Sequence, residues 1–226
     1  MKQKPHTLAV GVLASGSGTD LQSIIDASEK GMIDAKVVVV ISDKKDAFAL
    51  QRAKNYKIPG FFVDSQSKDK NEHENDIDAL LRQHGVELVV GAGYMQLLSA
   101  SFVKKWQGRL INIHPALLPS FRGKNGQGDA LAYGVKISGC TTHFMDAEMD
   151  HGPIILQAAV KVLDSDDRDA LADRILAVEH QILPRTIQLF SQGRLRVEGR
   201  MVSILPGDSW MTMYKVLPGV LYSEGY

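Results

Sequence analysis

The sequence predicts an α/β fold: an open, mostly parallel twisted sheet with helices on both faces and a Rossmann-like N-terminal half. Three observations indicate it. Short apolar runs recur along the chain, and the run KVVVVI at 36–41 is typical of a buried strand. Stretches with a helical spacing of apolar residues separate these runs, as at 21–28. A turn of sequence SGSG at 15–18 joins the first apolar run to the first helical stretch, as in a strand–turn–helix unit.

The first half of the chain supplies four strand–helix pairs and a fifth strand. Each predicted strand is a short apolar run, and a stretch with helical spacing follows each of the first four. The last of these helices has Ser99 at its N-cap, because a Ser side chain can accept a hydrogen bond from the first helical turn. The predicted strands are 8–14, 36–41, 60–63, 87–92 and 110–113, and the predicted helices are 21–28, 47–55, 68–83 and 99–106.

The second half is less regular. The polar, Gly-rich segment SFRGKNGQG at 120–128 predicts a mobile loop. Strands are predicted at 139–145 and 154–162, followed by a helix at 167–191 that Pro184 punctuates. We expect one domain over residues 1–200, with halves at about 1–100 and 101–200. The remaining residues, 201–226, are expected to form a tail packed on the core or at a subunit interface, and they include Trp210, Met211, Met213, Tyr214 and Tyr222.

Composition and charge exclude several classes of protein. With 44% hydrophobic and 23% charged residues, the 226-residue chain resembles an ordinary soluble globular protein. The 26 Lys and Arg residues balance 26 Asp and Glu residues, so no basic field favours nucleic acid. No apolar run reaches the roughly 20 residues that span a bilayer, and the N-terminus has no signal-peptide core. The single Cys140 excludes an intrachain disulfide, and we expect a cytoplasmic protein.

Two unlike polar groups lie two residues apart at the end of the fifth predicted strand. Side chains at positions i and i+2 of a strand point the same way, so Asn112 and His114 would face one common volume. Pro115 then ends the strand, because proline has no N–H to donate to the ladder. An amide that donates hydrogen bonds, beside an imidazole that titrates near neutral pH, predicts a polar reaction site at the carboxyl end of the sheet.

A carboxylate in the turn between the next two predicted strands can complete this site. Asp150 lies 38 residues after Asn112. Placed near His114, it would favour the imidazolium form, which can donate to a carbonyl oxygen as negative charge develops there. Asp150 as a simple turn residue is the alternative. A metal site built from His143, Asp146, Asp150 and His151 is a further alternative, but no ligand spacing supports it and we expect no metal.

Two further segments suit ligands. The turn at 15–20 places Gly residues at a predicted helix N-terminus, where free N–H groups can bind one phosphate. It lacks both the GxGxxG spacing of dinucleotide folds and the Lys of a P-loop, and a capped turn without ligand is the alternative. The apolar segment 91–98 can line a slot for a flat ring, although a core-facing loop is equally compatible with its composition.

Taken together, these segments resemble the folate-dependent phosphoribosylglycinamide formyltransferase family. The resemblance covers nearly all of residues 8–195. The Asn-x-His-Pro element with the downstream Asp is typical of formyltransferases that use 10-formyltetrahydrofolate, and the Ser-Gly-x-Gly-Thr turn is typical of the glycinamide branch. The matching stretches are ASGSGTDLQSIIDA (14–27), GAGYMQLLS (91–99), LINIHPALLPSFRG (110–123), HFMDAEMDHGPIILQ (143–157) and EHQILP (179–184).

The resemblance implies the formyltransferase fold and a role for each matching residue. Asn112 would hydrogen-bond the formyl oxygen, His114 would be general acid or oxyanion stabiliser, and Asp150 would favour protonated His114 and help relay a proton. The amine of 5-phosphoribosylglycinamide would attack the formyl carbon directly through a tetrahedral intermediate, with no metal and no covalent enzyme adduct. Gly18, Thr19 and Asp20 would hold the substrate phosphate, Glu179 would lie near the ribose, and the folate would contact Lys70, Met95, Gln96, Leu97, Leu98, Asn112, Asp146, Ala147 and Glu148.

The chain departs from this family pattern at three places outside the expected catalytic residues. Asp20 replaces the usual Asn of the phosphate loop, and Gln96 stands where Arg is common. Leu176 offers none of the polar help that some members have one turn before Glu179. The expected partners are the two small-molecule substrates, without nucleic acid or membrane, and the protein is expected to be a monomer or homodimer.

Three other functions share parts of this pattern. A methionyl-tRNA formyltransferase would need a basic C-terminal domain of roughly 100 residues, and we expect too little chain after the core for it. A formyltetrahydrofolate deformylase would use water instead of the amine and usually has an N-terminal regulatory domain, which we do not expect here because the first predicted strand begins at about residue 8. A folate- or phosphate-binding module without chemistry is the alternative outside enzymes.

Overall fold

The computed structural model describes residues 6–207 and 216–226. The expectation for Trp210, Met211, Met213 and Tyr214 therefore falls outside the described residues. The chain divides into two compact units, Met1–Ile111 and Asn112–Tyr226. These units do not coincide with the predicted division into a domain of 1–200 and a tail, which stays a prediction.

The first unit is a parallel α/β structure around β1 (Leu8–Leu13). This strand pairs in parallel with β2 (Ala35–Ser42) and with β4 (Leu88–Gly91), and β2 pairs in parallel with β3 (Gly60–Phe62). Val10, Val12 and Val39 are fully buried, as apolar runs in two-sided parallel sheets require. The connecting helices are α1 (Thr19–Glu29), α2 (Phe48–Asn55), α3 (Lys70–Gln83) and α4 (Ala100–Lys105), after which β5 (Leu110–His114) begins.

The second unit begins within β5 and is mainly antiparallel. Strand β6 (Ile137–Phe144) pairs with β7 (Ile154–Lys161), and β7 pairs with β10 (Leu221–Tyr222), both in antiparallel fashion. A separate hairpin contains β8 (Leu195–Glu198) and β9 (Met201–Ile204). The helices are α5 (Gly126–Tyr133) and α6 (Arg168–Ser191). In the described residues the main sheet has eight strands in the order β10-β7-β6-β5-β4-β1-β2-β3, so the predicted α/β fold with a mostly parallel sheet is confirmed.

Three features of the second unit differ from the sequence prediction. Helix α5 begins at Gly126, inside the predicted 120–128 loop, because packing of the buried Ala130 outweighs the low helix propensity of Gly126 and Gly128. Helix α6 continues through Pro184, since the apolar face that includes Ile182 and Ile187 is fully buried. Strands β8, β9 and β10 are not among the predicted strands, because runs of four, four and two residues are too short to establish a periodic apolar pattern.

The predicted N-cap of the fourth helix is confirmed. Ser99 caps α4, because its hydroxyl accepts a hydrogen bond from the N–H of Phe102 at 3.2 Å. Within residues 6–207 and 216–226, none of the helices is both long and apolar enough to cross a bilayer.

Candidate active site

Asn112 and His114 lie at the C-terminal end of β5, and both approach Asp150. The amide nitrogen Nδ2 of Asn112 is 3.4 Å from Asp150 Oδ1, and His114 Nδ1 is 3.4 Å from Asp150 Oδ2. The His114 and Asp150 side chains are only 4% and 10% exposed. The structure thus brings together Asn112, His114 and Asp150, called the polar trio below, within the second unit.

Both ring nitrogens of His114 face oxygen acceptors. Nε2–H donates to the carbonyl oxygen of Phe121 at 2.8 Å, and Nδ1 faces the Asp150 carboxylate. Nε2–H thus has a hydrogen-bond acceptor, whereas the 3.4 Å separation between Nδ1 and Asp150 is an ion-pair contact. In a site this buried, the negative charge of Asp150 compensates the positive charge of a doubly protonated ring.

Asp150 occupies a tight turn that fixes the direction of its carboxylate. Its backbone has a φ of 49°, a left-handed conformation that is rare for a non-glycine residue and costs of order 1–3 kcal/mol unless neighbouring groups hold it. The N–H of Gly123 donates to Asp150 Oδ2 at 2.8 Å. Two residues later the chain needs Gly152, because a Cβ there would lie 1.9 Å from the carbonyl oxygen of Phe144. Asp150 is thus both a turn residue and a carboxylate directed at His114.

His143 on β6 is a fourth member of this cluster, which sequence reasoning considered only as a metal ligand. Its Nδ1–H donates to the carbonyl oxygen of Phe144 at 2.9 Å, which leaves Nε2 as an acceptor for the Asn112 amide N–H at 3.2 Å. Burial lowers the pKa of His143 and so favours this neutral ring. His143 therefore orients the amide of Asn112. Its place in a buried strand does not distinguish this role from that of a core histidine in the sequence.

The Gly-rich turn at 15–20 lies in the first unit, between β1 and α1. Gly18 has a φ of 68° and precedes Thr19 at the start of α1, and an added Cβ would lie 2.8 Å from the backbone of Ala49. Two hydrogen bonds from α2 support the turn: Ala49 N–H donates to Gly16 O, and Arg52 Nε–H donates to Ser17 O. Asp20 is buried in the first turn of α1, and burial raises its pKa to about 7.

A cleft of about 450 Å³ lies beside this turn. Its walls are residues 15–17 of the turn and residues 44–48 of the loop between β2 and α2, which include Lys44 and Lys45. Both lysine side chains are exposed, and they add positive charge next to the N-terminus of α1. The carboxylate of Asp46 lines the same cleft, so its charged side chains are two lysines and one aspartate.

The residues predicted to contact folate in the first unit have different environments. Met95 and Leu97 are about half exposed, at 47% and 52%, whereas Leu98 is buried in the core. Gln96 is partly buried, and its amide donates to Asp43 Oδ2 at 2.8 Å. Lys70 is exposed at the first residue of α3. Two apolar side chains of the segment 91–98, those of Met95 and Leu97, are thus exposed, whereas the Leu98 side chain packs in the core.

The remaining predicted residues lie in the second unit. Asp146 accepts a hydrogen bond from His151 Nδ1–H at 2.7 Å, and Arg200 donates from Nη1 to His151 Nε2 at 2.9 Å and from Nη2 to His151 O at 2.7 Å. These contacts fasten the turn between β6 and β7, where Ala147 and Glu148 are exposed. Glu179 is buried in α6, away from the surface.

The four residues of the alternative metal site have other partners. His143 contacts Asn112, His151 contacts Asp146 and Arg200, and Asp150 is shared by the polar trio. In the described part of the chain, no group of three or more His, Cys, Asp or Glu side chains has a geometry that could hold a metal ion.

The polar trio places a neutral amide and an imidazole beside a largely buried carboxylate, a set of groups that can donate hydrogen bonds to the oxygen of a reacting carbonyl group. A family model described as "Formyl transferase" matches residues 8–187, which is most of the chain. The chain therefore belongs to the formyl transferase family.

Relatives of known identity are similar over most of the chain. It is 40% identical to the phosphoribosylglycinamide formyltransferase of Haemophilus influenzae, across 85% of this chain and 91% of the relative. A crystal structure of glycinamide ribonucleotide transformylase 1 from Symbiobacterium toebii has a TM-score of 0.89 and 45% identity, covering 91% of this chain and 98% of that one. The trifunctional purine biosynthetic protein adenosine-3 of Gallus gallus is 39% identical over 87% of this chain, which spans only 20% of that longer protein.

A formyltetrahydrofolate deformylase is also structurally similar. The crystal structure of this enzyme from Pseudomonas syringae has a TM-score of 0.83 but 28% identity, and the match covers 91% of this chain and 67% of that one. Its lower identity makes it a more distant relative than the two bacterial transferases.

Proposed function

We propose that the protein transfers the formyl group of 10-formyltetrahydrofolate to the amine of 5-phosphoribosylglycinamide, a step of purine biosynthesis. The observation that supports this most strongly is the polar trio in a chain 40% identical to a phosphoribosylglycinamide formyltransferase over 91% of that relative. The relative's name supplies the acceptor and the transferred group, the family resemblance supplies 10-formyltetrahydrofolate as the donor, and the trio supplies the groups that formyl transfer needs.

The chemistry follows from the placement of the donors. The substrate amine forms a bond to the formyl carbon, and the formyl oxygen gains negative charge. The Asn112 amide nitrogen donates to His143 at 3.2 Å and has only a long 3.4 Å contact with Asp150, so its second N–H is weakly engaged and can donate instead to a formyl oxygen placed beside it. His114 Nε2–H, which now donates to Phe121 O, is the other donor that the oxygen would engage. One such donor contributes about 3–4 kcal/mol to stabilisation of the oxyanion.

Collapse of the tetrahedral intermediate requires one proton to move. The attacking amine loses a proton, and N10 of the folate gains one as its bond to the formyl carbon breaks. We propose that Asp150 and His114 relay this proton, because the Asp150 carboxylate lies 3.4 Å from the ring and no protein atom needs to bond covalently to the formyl carbon.

The substrate-binding roles remain proposals as well. The turn of Gly18, Thr19 and Asp20 would bind the phosphate through the N-terminus of α1, and Met95 and Leu97 would contact the pterin ring. Lys70, Gln96, Leu98, Asp146, Ala147, Glu148 and Glu179 keep the roles that the family resemblance implies, with Leu98 acting from the core side of its loop. We also propose cytoplasmic action as a monomer or homodimer, without metal or nucleic acid.

One assay tests this proposal against hydrolysis. Purified protein is mixed with 10-formyltetrahydrofolate, with and without 5-phosphoribosylglycinamide, and loss of the formyl group is followed. Turnover that depends on the acceptor supports the transferase. Formate release without acceptor would favour a deformylase, and no turnover in either mixture would contradict both enzymes.

A further inference from the structure

A buried carboxylate connects the two predicted substrate segments of the first unit. Asp43 follows β2 directly and is only 3% exposed. Its Oδ1 accepts a hydrogen bond from the Ser15 hydroxyl at 2.5 Å, and its Oδ2 accepts one from the Gln96 amide at 2.8 Å. One carboxylate therefore contacts the turn after β1 and the segment after β4 at the same time.

The Ser15 hydroxyl completes the network. It donates to Asp43 and accepts a hydrogen bond from the backbone N–H of Met95 at 2.8 Å, so its direction is fully determined. The Ser15 N–H also donates to Gly93 O at 3.0 Å. Connected networks with a charged member in a buried place are stronger and more rigid than isolated pairs. Movement of either segment must therefore break at least one of these bonds.

We infer that Asp43 is a positioning residue that couples the phosphate-binding turn at 15–20 to the folate-binding segment at 91–98. The inference rests on the proposed function for the identity of the two ligands. Asp43 is too buried to contact substrate itself and acts through Ser15 and Gln96. Loss of the Asp43 carboxylate should weaken the binding of both substrates together, although they bind to segments that are far apart in sequence.

An exchange of donor and acceptor tests this coupling. In Gln96→Glu two carboxylates face each other where the amide now donates to Asp43, so the contact becomes repulsive. We expect the KM for 5-phosphoribosylglycinamide and the KM for 10-formyltetrahydrofolate both to rise by roughly 10-fold, as for loss of one charge-assisted hydrogen bond. The double variant Gln96→Glu/Asp43→Asn exchanges donor and acceptor, because the amide introduced at position 43 can donate to the carboxylate introduced at position 96. Both KM values should then return to within about threefold of wild type.

The control is Gln83→Glu, which adds the same charge at an exposed position near the end of α3 and should leave both KM values unchanged. The inferred coupling is wrong if Gln96→Glu raises only the KM for the folate. It is also wrong if adding Asp43→Asn to Gln96→Glu does not restore the KM values. A merely destabilising change would lower the folded fraction and kcat without moving both KM values and without rescue by the second substitution.

A readout without substrates keeps this inference separate from the proposed function. Backbone amide NMR shifts of residues 15–20 should change in Gln96→Glu and return in the double variant, whether or not the protein transfers a formyl group. An active wild type with unchanged shifts for 15–20 in Gln96→Glu would overturn the coupling alone. An inactive wild type whose shifts behave as expected would overturn the proposed function alone.

Discussion

His114 Nδ1 lies 3.4 Å from Asp150 Oδ2, and the N–H of Gly123 donates to that same oxygen at 2.8 Å. The carboxylate is thus held by the backbone before any substrate binds. Because the carboxylate lies at ion-pair distance from the imidazole, Asp150 can stabilise positive charge on His114 without moving. The left-handed turn at Asp150 therefore holds its carboxylate in place for the reaction proposed at His114, at the end of β5.

Asp150→Asn should lower kcat by roughly 10²- to 10⁴-fold, because the amide keeps the shape of the side chain but cannot stabilise a charged imidazole or accept a proton. The measurement is kcat and KM for both substrates at saturating cosubstrate. Asp169→Asn, at a side chain that is 90% exposed in the first turn of α6, is the matched control and should retain wild-type rates. A kcat for Asp150→Asn within threefold of wild type would remove Asp150 from the mechanism.

His143 should act on the reaction through Asn112. His143→Leu removes the acceptor for the Asn112 amide and should lower kcat by roughly 10- to 100-fold, comparable to the loss of a positioning contact around a reactive group. His143→Gln can place an amide oxygen where Nε2 now lies, so it should retain more activity than the Leu variant. Steady-state kinetics of the two variants check this order, and equal rates would show that orientation of Asn112 does not depend on His143.

Asp20 should make stability depend on pH. Burial raises its folded pKa to about 7 from 3.8, so between these values the folded state keeps a proton that the unfolded chain has lost. This contribution to stability is complete below the unfolded pKa and is lost as the pH rises through the folded pKa. Asn cannot ionise, so Asp20→Asn should gain stability relative to wild type by about 2–3 kcal/mol more at pH 8 than at pH 5.

Urea unfolding at the two pH values measures this difference for Asp20→Asn. Asp169→Asn again serves as control, since an exposed carboxylate should show no such pH-dependent gain. A stability difference between Asp20→Asn and wild type that is the same at pH 5 and pH 8 would contradict a raised pKa at Asp20.

The pattern of apolar runs predicted much of the sheet, but it did not predict the contacts between segments that are distant in sequence. The spacing of Asn112 and His114 predicted that they share one side of a strand, since alternation is a local property of β-structure. The approach of Asp150 depends on a left-handed backbone at that residue and on the N–H of Gly123, neither of which has a sequence pattern of its own. The position of Asp150 in the turn between two predicted strands made it a candidate, with a simple turn residue as the alternative, and the family resemblance gave it a role.

Two misses have the same physical origin. Tertiary packing forms α5 from a segment whose glycines predict a loop, and it keeps α6 continuous through Pro184. The Asp43 network likewise joins three loops by side-chain hydrogen bonds, which composition and spacing do not reveal.

The central claim is that His114 acts on the formyl group in transfer to 5-phosphoribosylglycinamide, and a single-turnover experiment on His114→Ala tests it most directly. The rate of formyl transfer is measured with enzyme in excess, and the affinity for each substrate is measured separately by calorimetry. The account predicts a rate roughly 10²- to 10⁴-fold below wild type, with both affinities within about threefold of wild type. A transfer rate close to that of wild type would contradict it.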